Sequence, residues 1–177
     1  MAERYDPASD VGLNERMKRP REIYLAGPFF SDGQVQELRL VEQALVEAKL
    51  DFYSPRLECL YKRGDERKVA QRCAWLNRFH IRRSKLVLAG LTWADMGTAW
   101  ELGYADADRI PRIGFTSDHK VGLNLMVRET VDALIPFDKV PDALNAIGGQ
   151  LMRGRTFNRE LDQLSRYFDE TWKGLME

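Results

Sequence analysis

The chain has 177 residues, 44% hydrophobic and 31% charged, with 27 Lys+Arg against 27 Asp+Glu, a profile that fits one folded domain and excludes a disordered chain. Balanced charge argues against a dedicated nucleic-acid binder, which would carry a basic excess. No apolar run reaches the roughly 20 residues of a membrane helix, the start MAERYDPASDVGLNERMKRPR lacks the apolar core of a signal peptide, and Cys59, Cys73, His80 and His119 fit no zinc spacing, so a cytoplasmic, reducing setting without a metal is expected.

Residues 1–21 are polar and broken by Pro7, Gly12 and Pro20, and read as a mobile arm. EIYLAG, 22–27, is a short β-type run stopped by Gly27-Pro28. In the next twenty residues Val35, Leu38, Val41, Ala44, Leu45 and Ala48 recur at helical spacing, with Ser31 or Asp32 as cap. DFYSP is a second strand, RLECLYKRGDE an irregular connection, and about 66–83 a helix. KLVLAGL, 85–91, is the clearest buried strand. GTAWELGYADAD is a further helix, RIPRIGFTS a strand, and VGLNLMVRETVDALIPF a short helix entering a last strand. PDALNAIGGQLMR closes the domain over 22–150, and 151–177 forms an amphipathic extension with Phe157, Leu161, Leu164, Phe168, Trp172 and Leu175 on one face. Strands alternating with helices predict an α/β domain, a parallel sheet covered on both faces.

Glu101 stands out, a carboxylate among Trp100, Leu102, Tyr104 and Ala105. Thr98-Ala-Trp-Glu101 fits a capping box, which would make it structural. Its place in the chain favours chemistry: ligands of parallel α/β sheets bind beyond the carboxyl ends of the strands, and Glu101 lies one turn past the loop TWADMG, which adds Asp95 and Gly97. Two acids at a helix start, with apolar neighbours to perturb them, suit a nucleophile and a ligand-orienting acid. Tyr24 on the first strand could hold one carboxylate oxygen in line. Phe29 and Phe30, after Gly27, are core residues or a platform for a flat ring. AGPFFSDG matches no phosphate-loop pattern.

YLAGPFFSDGQ, FYSPR, DMGTAWELGYA and LNLM together resemble the nucleoside 2-deoxyribosyltransferases over about 22–140. The resemblance implies a flavodoxin-like, doubly wound, five-stranded parallel sheet and base exchange on 2'-deoxynucleosides without a cofactor, the partners being a deoxynucleoside and a free nucleobase. It also implies that Glu101 attacks the anomeric carbon to give a covalent deoxyribosyl-enzyme, that Tyr24 positions Glu101, and that Asp95 contacts substrate and manages the proton on the base. Asn124 and Met126 match a segment reaching into a neighbouring subunit's site, hence a homo-oligomer, dimer or hexamer. Two positions depart from the family pattern: Asn77 stands where many members carry a base-contacting aspartate, and Cys59 where a glutamine reads the base. An amide can hydrogen-bond a base but cannot act as a carboxylic acid. The alternatives are a 2'-deoxynucleoside 5'-monophosphate hydrolase using the same nucleophile, for which GPFFSDGQ offers no Arg, and a non-catalytic nucleoside-binding domain.

Overall fold

A computed structural model describes residues 5–15, 17–59, 61, 62, 64–118 and 122–148, and the backbone alone of 149–151. The expected amphipathic face from Phe157 to Leu175 lies outside the described residues. Five parallel strands, β1 (Ile23–Ala26), β2 (Phe52–Tyr53), β3 (Leu86–Gly90), β4 (Arg112–Thr116) and β5 (Ala133–Pro136), form one sheet in the order β2-β1-β3-β4-β5. The helices between them are α1 (Asp32–Glu47), α2 (Pro55–Glu58), α3 (Arg67–Arg83), α4 (Met96–Ala107), α5 (Leu125–Thr130) and α6 (Val140–Leu151). This is the doubly wound, flavodoxin-like order, which reverses between β1 and β3 and opens a ligand crevice there.

Period-2 alternation divides the strands between two layers. Ile23, Leu25, Leu86, Leu88, Ile113 and Phe115 pack with α1 and α6, whereas Tyr24, Ala26, Val87 and Ala89 face α3 and α4. Tyr24 pairs in register with Tyr53 of β2 and Val87 of β3, so neighbouring strands put both phenols on the second face.

Three helices, α1, α4 and α5, begin where a side chain satisfies a free backbone amide. Ser31 caps α1 in a capping box with Gln34, whose Oε1 accepts from the amides of Phe30 (2.8 Å) and Ser31 (3.0 Å). The connection expected after β2 to be irregular starts instead with α2, where Pro55 takes the first helical turn, a place that suits its fixed φ and missing N–H. Buried Glu42 of α1 holds this corner by accepting from Ser54 Oγ at 2.7 Å and pairing with Arg56.

In the segment expected as a mobile arm, Tyr5, Asp10 and Met17 contact α3. Buried Asp10 accepts from Arg72 Nε and Nη2, both at 2.7 Å, and from Tyr5 Oη at 2.6 Å, while Leu13 joins the core beside Tyr24 and Leu76. The Arg72 guanidinium holds the Asp10 carboxyl well below the usual carboxylate range. The sequence hid this because the segment's anchors are a charge pair and one leucine rather than a periodic apolar face.

Candidate active site

The capping reading of Glu101 gives way to a different geometry. The N-cap of α4 is Asp95, whose Oδ2 accepts from the Thr98 amide at 2.6 Å and from Thr98 Oγ1 at 2.8 Å. Asp95 is a preferred cap residue, and it starts the helix three residues before Thr98. Gly97 leaves room for this cap, since a Cβ there would sit 3.0 Å from Asp95 Oδ2. Glu101 therefore falls in the second turn of α4, free of any capping duty, and turns toward β1.

There Tyr24 Oη donates to Glu101 Oε1 at 2.5 Å. Asn77 Nδ2 of α3 reaches the same oxygen at 3.5 Å, the outer limit of a hydrogen bond, and Tyr53 Oη donates to Asn77 Oδ1 at 3.1 Å. Four side chains from β1, β2, α3 and α4 thus meet at the point where the strand order reverses. Burial pushes the Glu101 carboxyl up, to about 7; the Tyr24 bond opposes the rise and the negative charge of Asp95 adds to it. Tyr24, fully buried and facing a carboxylate, has its phenol raised well above the ordinary value. It therefore keeps the proton that it donates to Glu101.

The other expected site residues divide into three groups. Gly27, Phe29 and Phe30 follow β1. A Cβ on Gly27 would come within 2.7 Å of Leu38, so glycine lets α1 pack beneath the turn. Phe29 packs partly on the core, and Phe30, 78% exposed, stacks on it with ring centres 5.3 Å apart. Asn124 caps α5 by accepting from the Met126 amide at 2.9 Å, and both residues are exposed. They line a cleft of about 440 Å³ between α4 and α5 with Trp93, Asp95, Met96 and Val127. Glu101 and Tyr24 are not part of its lining: Met96, Ala99 and Gly103 of α4 face the cleft, and 100° per residue carries Glu101 to another flank. Asp95 lines the cleft and its charge acts on the carboxylate. Cys59, at the end of α2, is buried and bonded through sulfur to Cys73 on α3, so it offers no free thiol to a base.

Two residues of this cluster escaped the sequence reading. Tyr53 was visible only as part of FYSPR; the signal was its register beside Tyr24 on an adjacent parallel strand. His80, one turn after Asn77, stacks on the Tyr53 ring at 3.9 Å with Nε2 2.8 Å from the Met17 carbonyl. Among the described residues no group of three or more His, Cys, Asp or Glu could hold a metal, and no helix is long and apolar enough to cross a membrane.

The profile of the nucleoside 2-deoxyribosyltransferase family matches residues 23–153. The chain belongs to that family. Among solved structures it is similar to the 2-deoxyribosyltransferase of Bacillus psychrosaccharolyticus, described as a biocatalyst for synthesis of antiviral and antitumoral nucleosides, with 27% identity, TM-score 0.61, and coverage of 68% of this chain and 90% of that one. A conserved protein of Enterococcus faecalis V583, at 19% identity, TM-score 0.59, and coverage of 72% and 99%, shares the fold. No curated protein matches the chain in sequence. Activity of the deoxyribosyltransferase type, a pentosyl transfer, goes with this membership, and the match begins only at β1, leaving the segment on α3 as an addition before it.

Proposed function

We propose that the protein exchanges the base of 2'-deoxynucleosides through a covalent deoxyribosyl–Glu101 intermediate, with net retention at the anomeric carbon. The observation that carries this reading is the 2.5 Å bond from Tyr24 Oη to Glu101 Oε1, in a partly buried carboxyl raised to about 7. One oxygen is held and the other is left to attack. The Glu101 carboxylate forms a bond to C1' as the glycosidic C–N bond breaks, and its electron pair leaves with the base, which takes a proton from water or through Asp95. A second base then attacks C1' through a ring nitrogen, loses its proton and releases Glu101. Two displacements at one carbon restore its configuration, the logic of retaining glycosidases.

Asn77 supplies hydrogen bonds without acidity, so it can orient a base but not protonate it. The loop with Phe29 and Phe30 favours a flat ring and an uncharged 5'-hydroxyl over a 5'-phosphate. Asn124 and Met126, exposed beside Trp93, Met96 and Leu125, suit donation to a neighbouring subunit's site in a homo-oligomer, with Asn124 on the sugar 5'-hydroxyl.

The test is chromatography of purified protein with deoxyadenosine and cytosine. Deoxycytidine should form; free adenine without deoxycytidine would replace transfer by hydrolysis, and an unchanged mixture would mean binding without chemistry. Subunit sharing is tested by mixing Glu101→Ala and Asn124→Ala proteins after reversible dissociation. Each alone should be impaired, and the mixture should regain exchange at sites pairing an intact Glu101 with an intact Asn124.

A further inference from the structure

Asn77 has two faces of opposite hydrogen-bonding character, and an amide of this kind can sit either way round. Toward Glu101 the choice is forced when the carboxylate is ionised, because a carboxylate only accepts; the Asn77 N–H₂ must face it, as it does at 3.5 Å. That leaves Oδ1 on the opposite side of a partly buried amide, where a donor completes its pairing. Tyr53 Oη is that donor, at 3.1 Å. We propose that Tyr53 is a positioning residue, whose hydroxyl fixes the Asn77 amide with its N–H₂ toward Glu101.

The Tyr53 ring is itself held on two sides, by Tyr24 at 5.6 Å with planes 22° apart and by His80 at 3.9 Å with planes 14° apart. His80 is pinned by the carbonyl of Met17, in the segment preceding the family match. That bond makes Nε2 the protonated nitrogen; Nδ1 is buried with no hydrogen-bond partner among the described residues, and burial drives the imidazole down to about 4. A neutral ring therefore backs Tyr53 throughout the working range. Burial, with Glu58 and Glu101 nearby, raises the Tyr53 phenol too, so it keeps the proton that it donates. The chain of contacts runs from Met17 through His80, Tyr53 and Asn77 to Glu101. Besides Asn77 on α3, the groups that face the carboxylate from other elements are Tyr24 on β1 and Asp95 before α4.

This inference rests on Glu101 as the reacting group, so its test includes a readout independent of turnover. Glu101 is titrated in the whole protein by isotope-edited infrared spectroscopy of its carboxyl, in wild type, Tyr53→Phe, Asn77→Ala and the double variant. Tyr53→Phe keeps both ring contacts and removes one hydroxyl. It should raise the Glu101 titration by about 0.5 pH unit and lower kcat of exchange about five-fold with the acid limb of the pH profile moved up, KM changing less. Asn77→Ala should give the same upward movement of the titration, and the double variant no more than Asn77→Ala alone. A Tyr53→Phe titration at the wild-type position overturns the proposal, as does an additive double variant. If the titration moves as expected but wild type exchanges no base, the positioning role stands and the exchange reading fails; exchange with an unmoved titration rejects the role alone. Should Tyr53→Phe not fold, the side-chain amide protons of Asn77 are followed in wild type by NMR: slowed rotation, with shifts tracking the Glu101 titration, supports the role, and a freely rotating amide overturns it.

Discussion

On the α1 and α6 side of the sheet, Ile23, Leu25, Leu86 and Leu88 meet Leu38, Val41, Leu45, Leu144 and Ile147; on the other side, β1 and its neighbour β2 present Tyr24 and Tyr53 to Asn77, His80 and Glu101. Adjacent residues on one strand thus serve opposite ends, since side-chain direction alternates along it. The apolar side stabilises by removing surface from water. The polar side keeps an acid raised and an imidazole lowered, both shifted toward their uncharged forms by burial, which costs stability and yields reactivity.

The largest expected break between the two sides is Glu101→Gln, which should lower base exchange by at least about 10³-fold while leaving the protein folded, because only the polar side loses its reacting group. Initial rates by chromatography, with circular dichroism as the fold control, check this. The mirror case is Leu45→Ala in the fully buried opposite layer. It should cost about 3 kcal/mol in denaturant unfolding and leave kcat of the folded fraction near wild type.

Stability against pH sharpens the comparison, because Glu101 and His80 act in opposite directions. Glu101 titrates near 7 when folded against 4.5 for the ordinary carboxyl, so the folded state holds the extra proton and stability falls as pH rises from about 4.5 to about 7. His80 titrates near 4 when folded against 6.5, so the unfolded state holds the extra proton and stability falls as pH drops from about 6.5 to about 4. Glu101→Gln removes the first slope only. Relative to wild type it should gain about 2 kcal/mol between pH 5 and pH 8, read from unfolding curves at both; a gain that does not grow with pH would show that Glu101 titrates normally. Tyr24→Phe follows at about 10-fold to 100-fold in exchange rate, the worth of one hydrogen bond to a charged group, with the acid limb of the rate profile moved upward as the bond that favours the ionised carboxylate disappears.

The apolar side was the more legible of the two in the sequence. Val41, Leu45 and KLVLAGL follow helix and strand periods that reflect burial directly, the parallel α/β class follows from the alternation of strands and helices, and the five-stranded flavodoxin-like sheet follows from the resemblance. The polar side was legible in its residues more than in its contacts. Tyr24, Asn77 and Glu101 were singled out, yet Thr98 looked like a cap because a four-residue pattern cannot say where a helix begins; Asp95, three residues earlier, took that place. Tyr53 and His80 gave no pattern of their own, since their roles come from strand register and from a carbonyl 63 residues away. Asp10 was invisible for the same reason: its partner Arg72 is 62 residues distant.

The smallest expected effect joins the two sides. The loop carrying Phe29 and Phe30 leaves β1 beside the site, but its backbone is held from the apolar layer, by Gln34 of α1 accepting from the amides of Phe30 and Ser31. Gln34→Ala removes both bonds from an exposed capping box and should cost about 1 kcal/mol of stability. Ser31→Ala breaks only the longer bond, 3.5 Å from the Gln34 amide to Ser31 Oγ, and should cost less. If Phe30 supplies a stacking surface for the base, Gln34→Ala should also raise KM for the nucleoside a few-fold, roughly the loss expected when a binding surface is held less firmly, with kcat unchanged because Glu101 and Tyr24 are untouched. A stability loss with no change in KM would confine the capping box to α1 and assign base stacking to other residues.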